Sequence, residues 1–250
     1  MFNLAPVPVP DLSGKVILVT GAGRGIGHAL TELLVERGAT VYAGHVDGDV
    51  APSGAHGIGL DVTDQTQVDA AMLRIGEEAG RLDALVNNAG VISPIGPLRE
   101  LDTDALRPAF EVNVLGVHRM TVAALPLLEK AKGVVVNAGT GAASTPMEGW
   151  TAYCSSKAGA RMLSLMTAME LKETGVQVFF IGIPPTDTAM QGAIRAAGLN
   201  PISKIPQGDL VHPMVPASVM AWLCGPEARE LDEVLLDVRD AFFKGMMALD

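Results

Sequence analysis

Between Lys15 and Gly38 the chain reads KVILVTGAGRGIGHALTELLVERG. A short β-branched apolar run passes through three glycines, Gly21, Gly25 and Gly27, directly into a helical pattern with Leu30, Leu33 and Leu34 on one face and Gly38 as its stop. That order fixes a strand, a tight turn and a helix. Glycines in the turn let the backbone reverse sharply, approach a pyrophosphate with no Cβ in the way, and pack the helix on the strand. The first amides of the helix then face the anion.

The same alternation recurs along the chain. Apolar runs Thr40 to Gly44, His56 to Leu60, Leu82 to Val86, Gly133 to Ala138, Val176 to Ile181 and Glu233 to Val238 follow the first, which makes seven strands separated by helical stretches. This pattern predicts an α/β fold with a parallel sheet: one Rossmann-like, doubly wound domain with helices on both faces. A proline-stiffened tail covers residues 1–11, the domain residues 12–250, and an irregular lid about 185–215. At 250 residues the length suits one large domain. Two long helices, Asp102 to Lys130 and Trp150 to Thr174, carry apolar residues on more than one face, so a homodimer or homotetramer is expected. The stripe Met162, Leu165, Met166 and Met169 reads as core or subunit contact.

Composition excludes several classes. No apolar run reaches the roughly 18 to 20 residues needed to span a bilayer, and the first ten residues lack the basic and apolar regions of a secretion signal, so no membrane partner and a cytoplasmic setting are expected. Two cysteines and five histidines without ligand spacing argue against a metal. A formal charge of -10 without a basic cluster argues against nucleic acid and favours a small-molecule partner.

The glycine loop TGAGRGIG, the segment NNAG at Asn87 to Gly90, and a tyrosine and lysine four residues apart at Tyr153 and Lys157 occur in this order. Together they resemble the short-chain dehydrogenase/reductase family from about Leu12 to Asp240. The resemblance implies a nicotinamide dinucleotide held by Gly21, Arg24, Gly25, Ile26 and Gly27, by Asp61 and Val62 at the adenine, and by Asn88, Ala89 and Gly90. An acid at the end of the second strand would accept bonds from both ribose hydroxyls and repel a 2′-phosphate. The expected position is His45, with Asp47 further on, and Arg24 can meet a 2′-phosphate with a charge-assisted fork. NADP(H) is therefore the expected cofactor, with NAD(H) the alternative.

Hydride transfer to a carbonyl builds negative charge on oxygen and needs a proton donor there. Tyr153 suits that role if a nearby cation lowers its pKa, and Lys157 stands on the same helical face. The resemblance adds that Lys157 holds the nicotinamide ribose, that Asn113 anchors a relay water, and that a hydroxyl thirteen residues before the tyrosine bonds the substrate oxygen. That count reaches Thr140, with Ser144 as competitor. After the sixth strand the family's Pro-Gly falls on Ile183 and Pro184, while Thr188 keeps the carboxamide contact. The helix near Ala189 offers Thr188 an alternative role as a cap.

Ile92, Pro94, Ser144, Met147, Trp150, Met190 and Ile194 are expected around the substrate. They are mostly apolar, and no fixed cation is evident, so a ketone, aldehyde or secondary alcohol of apolar or aromatic character is expected. A nucleotide-binding sensor or subunit partner with little turnover is the alternative from another class.

Overall fold

The computed structural model describes residues 2–46 and 48–248. Seven strands among them form one sheet, β1 (Val16–Thr20), β2 (Thr40–His45), β3 (His56–Gly59), β4 (Ala84–Asn87), β5 (Val134–Thr140), β6 (Gln177–Ile183) and β7 (Leu235–Asp237). Every pairing is parallel and the order is β3-β2-β1-β4-β5-β6-β7. The order reverses between β1 and β4, so a crevice opens at their carboxyl ends, where open α/β sheets take their ligands.

The helices are α1 (Gly25–Glu36), α2 (Gln65–Glu78), α3 (Arg107–Phe110), α4 (Val117–Ala131), α5 (Thr151–Glu170), α6 (Ala189–Ala197), α7 (Met214–Leu223) and α8 (Ala241–Lys244). Side chains alternate across each strand. Ile17, Val19, Val134, Val136, Phe179 and Ile181 pack on one face with α1 and α7. Val16, Leu18, Val135 and Val178 pack on the other with α2 and α4. Leu30 on α1 has no exposed surface, so truncating it to alanine would cost about 2–5 kcal/mol. Asp64 caps α2 by accepting from the amides of Thr66 and Gln67.

One sequence expectation changes and two are narrowed. The proline-stiffened tail forms no regular element over residues 2–11, and it packs on the domain: Val7 and Val9 are buried and the Val7 amide donates to Ser218 Oγ on α7 at 2.9 Å. The long helix expected from Asp102 to Lys130 is interrupted, with a 3₁₀ turn at Asp104–Leu106, then α3, a π turn at Glu111–Gly116 and α4. Met162, Met166 and Met169 are exposed on α5, so they are not core.

Candidate active site

The crevice is a cavity of about 770 Å³ that runs from the glycine loop to the segment after β6. Its floor is set by hydrogen bonds between strand ends. Thr20 Oγ1 accepts from the amides of Asn88 and Ala89, each at 3.1 Å, and Asn88 Nδ2 donates to the carbonyls of Thr20 and Gly21. Below them, Asn87 Nδ2 donates to Asn137 Oδ1 at 2.9 Å, and Asn137 Nδ2 to Ser164 Oγ at 2.9 Å. This buried chain joins β4, β5 and α5.

The glycine loop fits a phosphate. Gly21 has φ of +64°, and a Cβ there would lie 2.9 Å from Ala89 Cα; a Cβ on Gly27 would lie 2.2 Å from the Gly21 carbonyl oxygen. Gly27 thus serves helix packing and does not line the cavity, whereas Gly21, Arg24, Gly25, Ile26, Asp61, Val62, Asn88, Ala89 and Gly90 do. His45 stands outside the cavity: its Nε2 would be 3.4 Å from a Cβ on Gly57, so the ring turns toward β3. Val46 and Asp49 line the cavity instead, with Asp49 against Gly23, while Asp47 lies outside the described residues. Sequence reasoning missed Asp49 because Gly48, at φ of +87°, turns the chain back toward the loop.

At the other end Thr140, Tyr153 and Lys157 meet. Thr140 Oγ1 accepts from the Ala142 amide at 3.3 Å, and its hydroxyl stands beside the Tyr153 phenol, whose ionisation it favours. With its acceptor side met by an amide, Thr140 is oriented to donate. Burial pushes the Tyr153 phenol up to about 12, and the Thr140 hydroxyl pulls the other way. Burial pushes the Lys157 ammonium down to about 8, and its Nζ donates to the Ala138 carbonyl at 2.9 Å. The phenol is thus not lowered by Lys157 as expected: desolvation dominates, and what opposes it is the Thr140 hydroxyl. Ser144 is exposed and outside the cavity, because the 3₁₀ turn Gly141–Ala143 carries it away.

Asn113 does not reach the cavity either. Its Oδ1 accepts from the Val91 amide at 2.9 Å, and its Nδ2 donates to the Val91 carbonyl at 2.8 Å and to Ser156 Oγ at 3.0 Å. It sits in the π turn, so this staple and the local widening of the helix occur together. The side chain positions the loop after Gly90.

Ile92, Met147, Trp150, Met190 and Ile194 line the apolar end, while Pro94 does not. Trp150 meets Tyr153 edge to face, centroids 5.6 Å apart. Pro184 also lines the cavity, as does Thr188, which precedes α6 without capping it and lies near Gly25. A cation is present as well: Arg239, beyond β7, lines the cavity, and a Cβ on Gly141 would lie 3.7 Å from its Nη2. Its place at the carboxyl end of a strand was the available signal.

The glycine cradle, the amide floor and the apolar end fit a dinucleotide, and a paired hydroxyl and phenol fit proton transfer at a carbonyl or alcohol. Comparison with known proteins bears on the class. The family model described as short chain dehydrogenase matches residues 15–198. A 3-oxoacyl-[acyl-carrier-protein] reductase of Vibrio harveyi is 35% identical over 245 residues, covering 93% of this chain and 99% of the relative. A 2,3-dihydro-2,3-dihydroxybenzoate dehydrogenase of Escherichia coli is 32% identical over 243 residues, covering 91% and 97%. The structure of a 3-ketoacyl-(acyl-carrier-protein) reductase from Brucella melitensis, complexed with NADH, superposes with a TM-score of 0.80 at 27% identity, covering 91% and 97%. The fold and site define an oxidoreductase acting on CH–OH or C=O groups. The chain belongs to the short-chain dehydrogenase/reductase family.

Proposed function

We propose that the protein is a cytoplasmic NADP(H)-dependent carbonyl reductase or secondary-alcohol dehydrogenase for small apolar or aromatic substrates. One observation carries the reading: a single cavity joins the glycine loop to the Thr140–Tyr153 pair and to an apolar wall. Gly21, Arg24, Gly25, Ile26, Asp61, Val62, Asn88, Ala89 and Gly90 would hold the dinucleotide, with Lys157 and Thr188 at its nicotinamide end. When bound, the nicotinamide supplies or accepts the hydride. Tyr153 gives its hydroxyl proton to the substrate oxygen in reduction and takes it back in oxidation, and Thr140 donates a hydrogen bond to the oxygen as charge builds. Ile92, Trp150 and Met190 exclude water from the reacting carbon.

The ribose end carries two opposed groups. Arg24 in the loop supports NADP(H) by offering a fork to a 2′-phosphate. Asp49, against Gly23, favours a second reading, NAD(H), because a carboxylate there accepts from ribose hydroxyls and repels phosphate. The residues 185–215 act as the substrate lid in this reading. The exposed Met162, Met166 and Met169 on α5, with Leu115 in the π turn and Val122 on α4, support pairing of subunits through these faces as a dimer or tetramer.

The test mixes the purified protein with NADPH or NADH and a panel of aromatic ketones and diketones, followed at the reduced-nicotinamide absorbance band. Turnover that Tyr153→Phe abolishes is the expected result. Tight cofactor binding without turnover across the panel would replace the enzyme by a nucleotide sensor.

A further inference from the structure

The substrate end of the cavity is walled by Ile92, Ala142, Met147, Trp150, Met190 and Ile194, and such a wall selects shape more than charge. Among the described residues that line the cavity, the cations are Arg24, Lys157 and Arg239. Arg24 belongs to the glycine loop, and Lys157 spends one hydrogen on the Ala138 carbonyl. Arg239 stands beside Gly141, the residue after Thr140, and so at the reacting end. The acids on the lining, Asp49 and Asp61, accompany Val46, Leu60 and Val62 and belong to the opposite, adenosine end.

Arg239 is held in place. Its Nε and Nη2 donate to the two oxygens of Asp237, each at 2.6 Å, and its own amide donates to Asp237 Oδ1 at 2.8 Å. Asp237 in turn occupies the space over Gly182, where a Cβ would lie 2.4 Å from its Oδ2. A guanidinium has five N–H donors, and a fork on one carboxylate uses two of them. The remaining donors are fixed in direction before any ligand arrives, which removes most of the ordering cost of binding an anion.

We propose that Arg239 is a specificity-determining residue that takes a carboxylate on the substrate, so that the preferred substrate is an aryl or alkyl keto acid, or the matching hydroxy acid, with its reacting oxygen at Thr140 and Tyr153. This rests on the oxidoreductase reading above. Asp237 serves as the brace that keeps the free donors turned to the cavity.

The test compares phenylglyoxylate and 3-benzoylpropionate with their methyl esters, which keep the shape and remove the charge. The wild-type protein is expected to favour one of the acids over its ester by about ten-fold or more in kcat/KM. Arg239→Met should erase that preference through KM, leave kcat and ester turnover unchanged, and leave NAD(P)H binding, followed by its fluorescence, within error. Arg239→Lys, which keeps the charge but loses the fork, should fall between. Equal losses on acid and ester, weakened NAD(P)H binding, or no change at all would overturn the assignment. If the wild-type protein reduces no carbonyl, the oxidoreductase reading fails on its own. Calorimetric binding of the non-reducible carboxylate 3-phenylpropionate, about ten-fold weaker in Arg239→Met if Arg239 holds it, then still decides the role of Arg239, with equal binding refuting it.

Discussion

Replacing Thr140 by valine tests the reacting end with least disturbance. Valine keeps the β-branched shape and removes the hydroxyl alone, so no cavity opens. Two bonds are lost. The one from the Ala142 amide is long, 3.3 Å, so its loss should cost about 1 kcal/mol of stability, a Tm drop of about 2–4 °C for a chain of this size. The other is aimed at Tyr153 and, in the reaction, at the substrate oxygen. Loss of one aimed donor typically lowers kcat by about 10²-fold. The sign of the pH effect also follows. Alcohol oxidation needs the Tyr153 phenolate, whose formation burial resists and Thr140 assists, so the rising limb of kcat against pH should move to higher pH in the variant. Stopped-flow kinetics of alcohol oxidation from pH 6 to 10, with Thr140→Ser and Ser144→Ala as companions, reads both effects. Serine should restore the rate and the limb, and Ser144→Ala should change neither. A Thr140→Val enzyme with unchanged kcat and limb, or a Ser144→Ala enzyme with the loss, would refute the assignment.

Other outcomes follow from the same structure. Asp49→Ala should raise the ratio of kcat/KM for NADP(H) over NAD(H), and Arg24→Ala should lower it; steady-state rates with both cofactors decide which group governs selection. Gly27→Ala drives a methyl into the Gly21 carbonyl at 2.2 Å and should cost about 1–3 kcal/mol in urea unfolding while abolishing cofactor binding. Burial lowers the Lys157 pKa from 10.5 to about 8, so the unfolded chain binds the extra proton between those values and stability should rise with pH there by about 3 kcal/mol at most. Lys157→Met should be more stable than wild type at pH 7 and lose that rise, as denaturant midpoints at pH 7, 8 and 9 would show. Met166→Glu on α5 should lower the sedimentation mass if subunits pair through that face.

The strands were legible because parallel strands buried on both faces read as continuous apolar runs, and most observed limits fall within two residues of the expected ones. The place of Thr140 at the strand end was legible, from the spacing that the resemblance implies and from the apolar run before it, and β5 runs to that residue before the chain turns. The interruption of the fourth helix was not. It occurs with contacts between Asn113 and Val91, twenty-two positions apart, and no local propensity encodes them. His45 could be placed at a strand end but not oriented, because its ring direction depends on what β3 offers beside it. Asp49 and Arg239 were missed because local turns bring them to the cavity: Asp49 follows a glycine with positive φ, and Arg239 is held by a fork to Asp237 two residues before it, and neither leaves a mark in the apolar pattern.

The amide chain from Asn87 through Asn137 to Ser164 sets a mechanical tolerance for the whole reaction. Asn87 adjoins the floor residue Asn88, Asn137 precedes Thr140 by three positions, and Ser164 follows Lys157 by seven, about two helical turns. Greasy surfaces slide over one another with little loss, whereas a directional bond weakens with a small misalignment. The chain works as a ruler between two strands and a helix, so that a shift of α5 along its axis would strain the ruler before it moved Tyr153 away from Thr140.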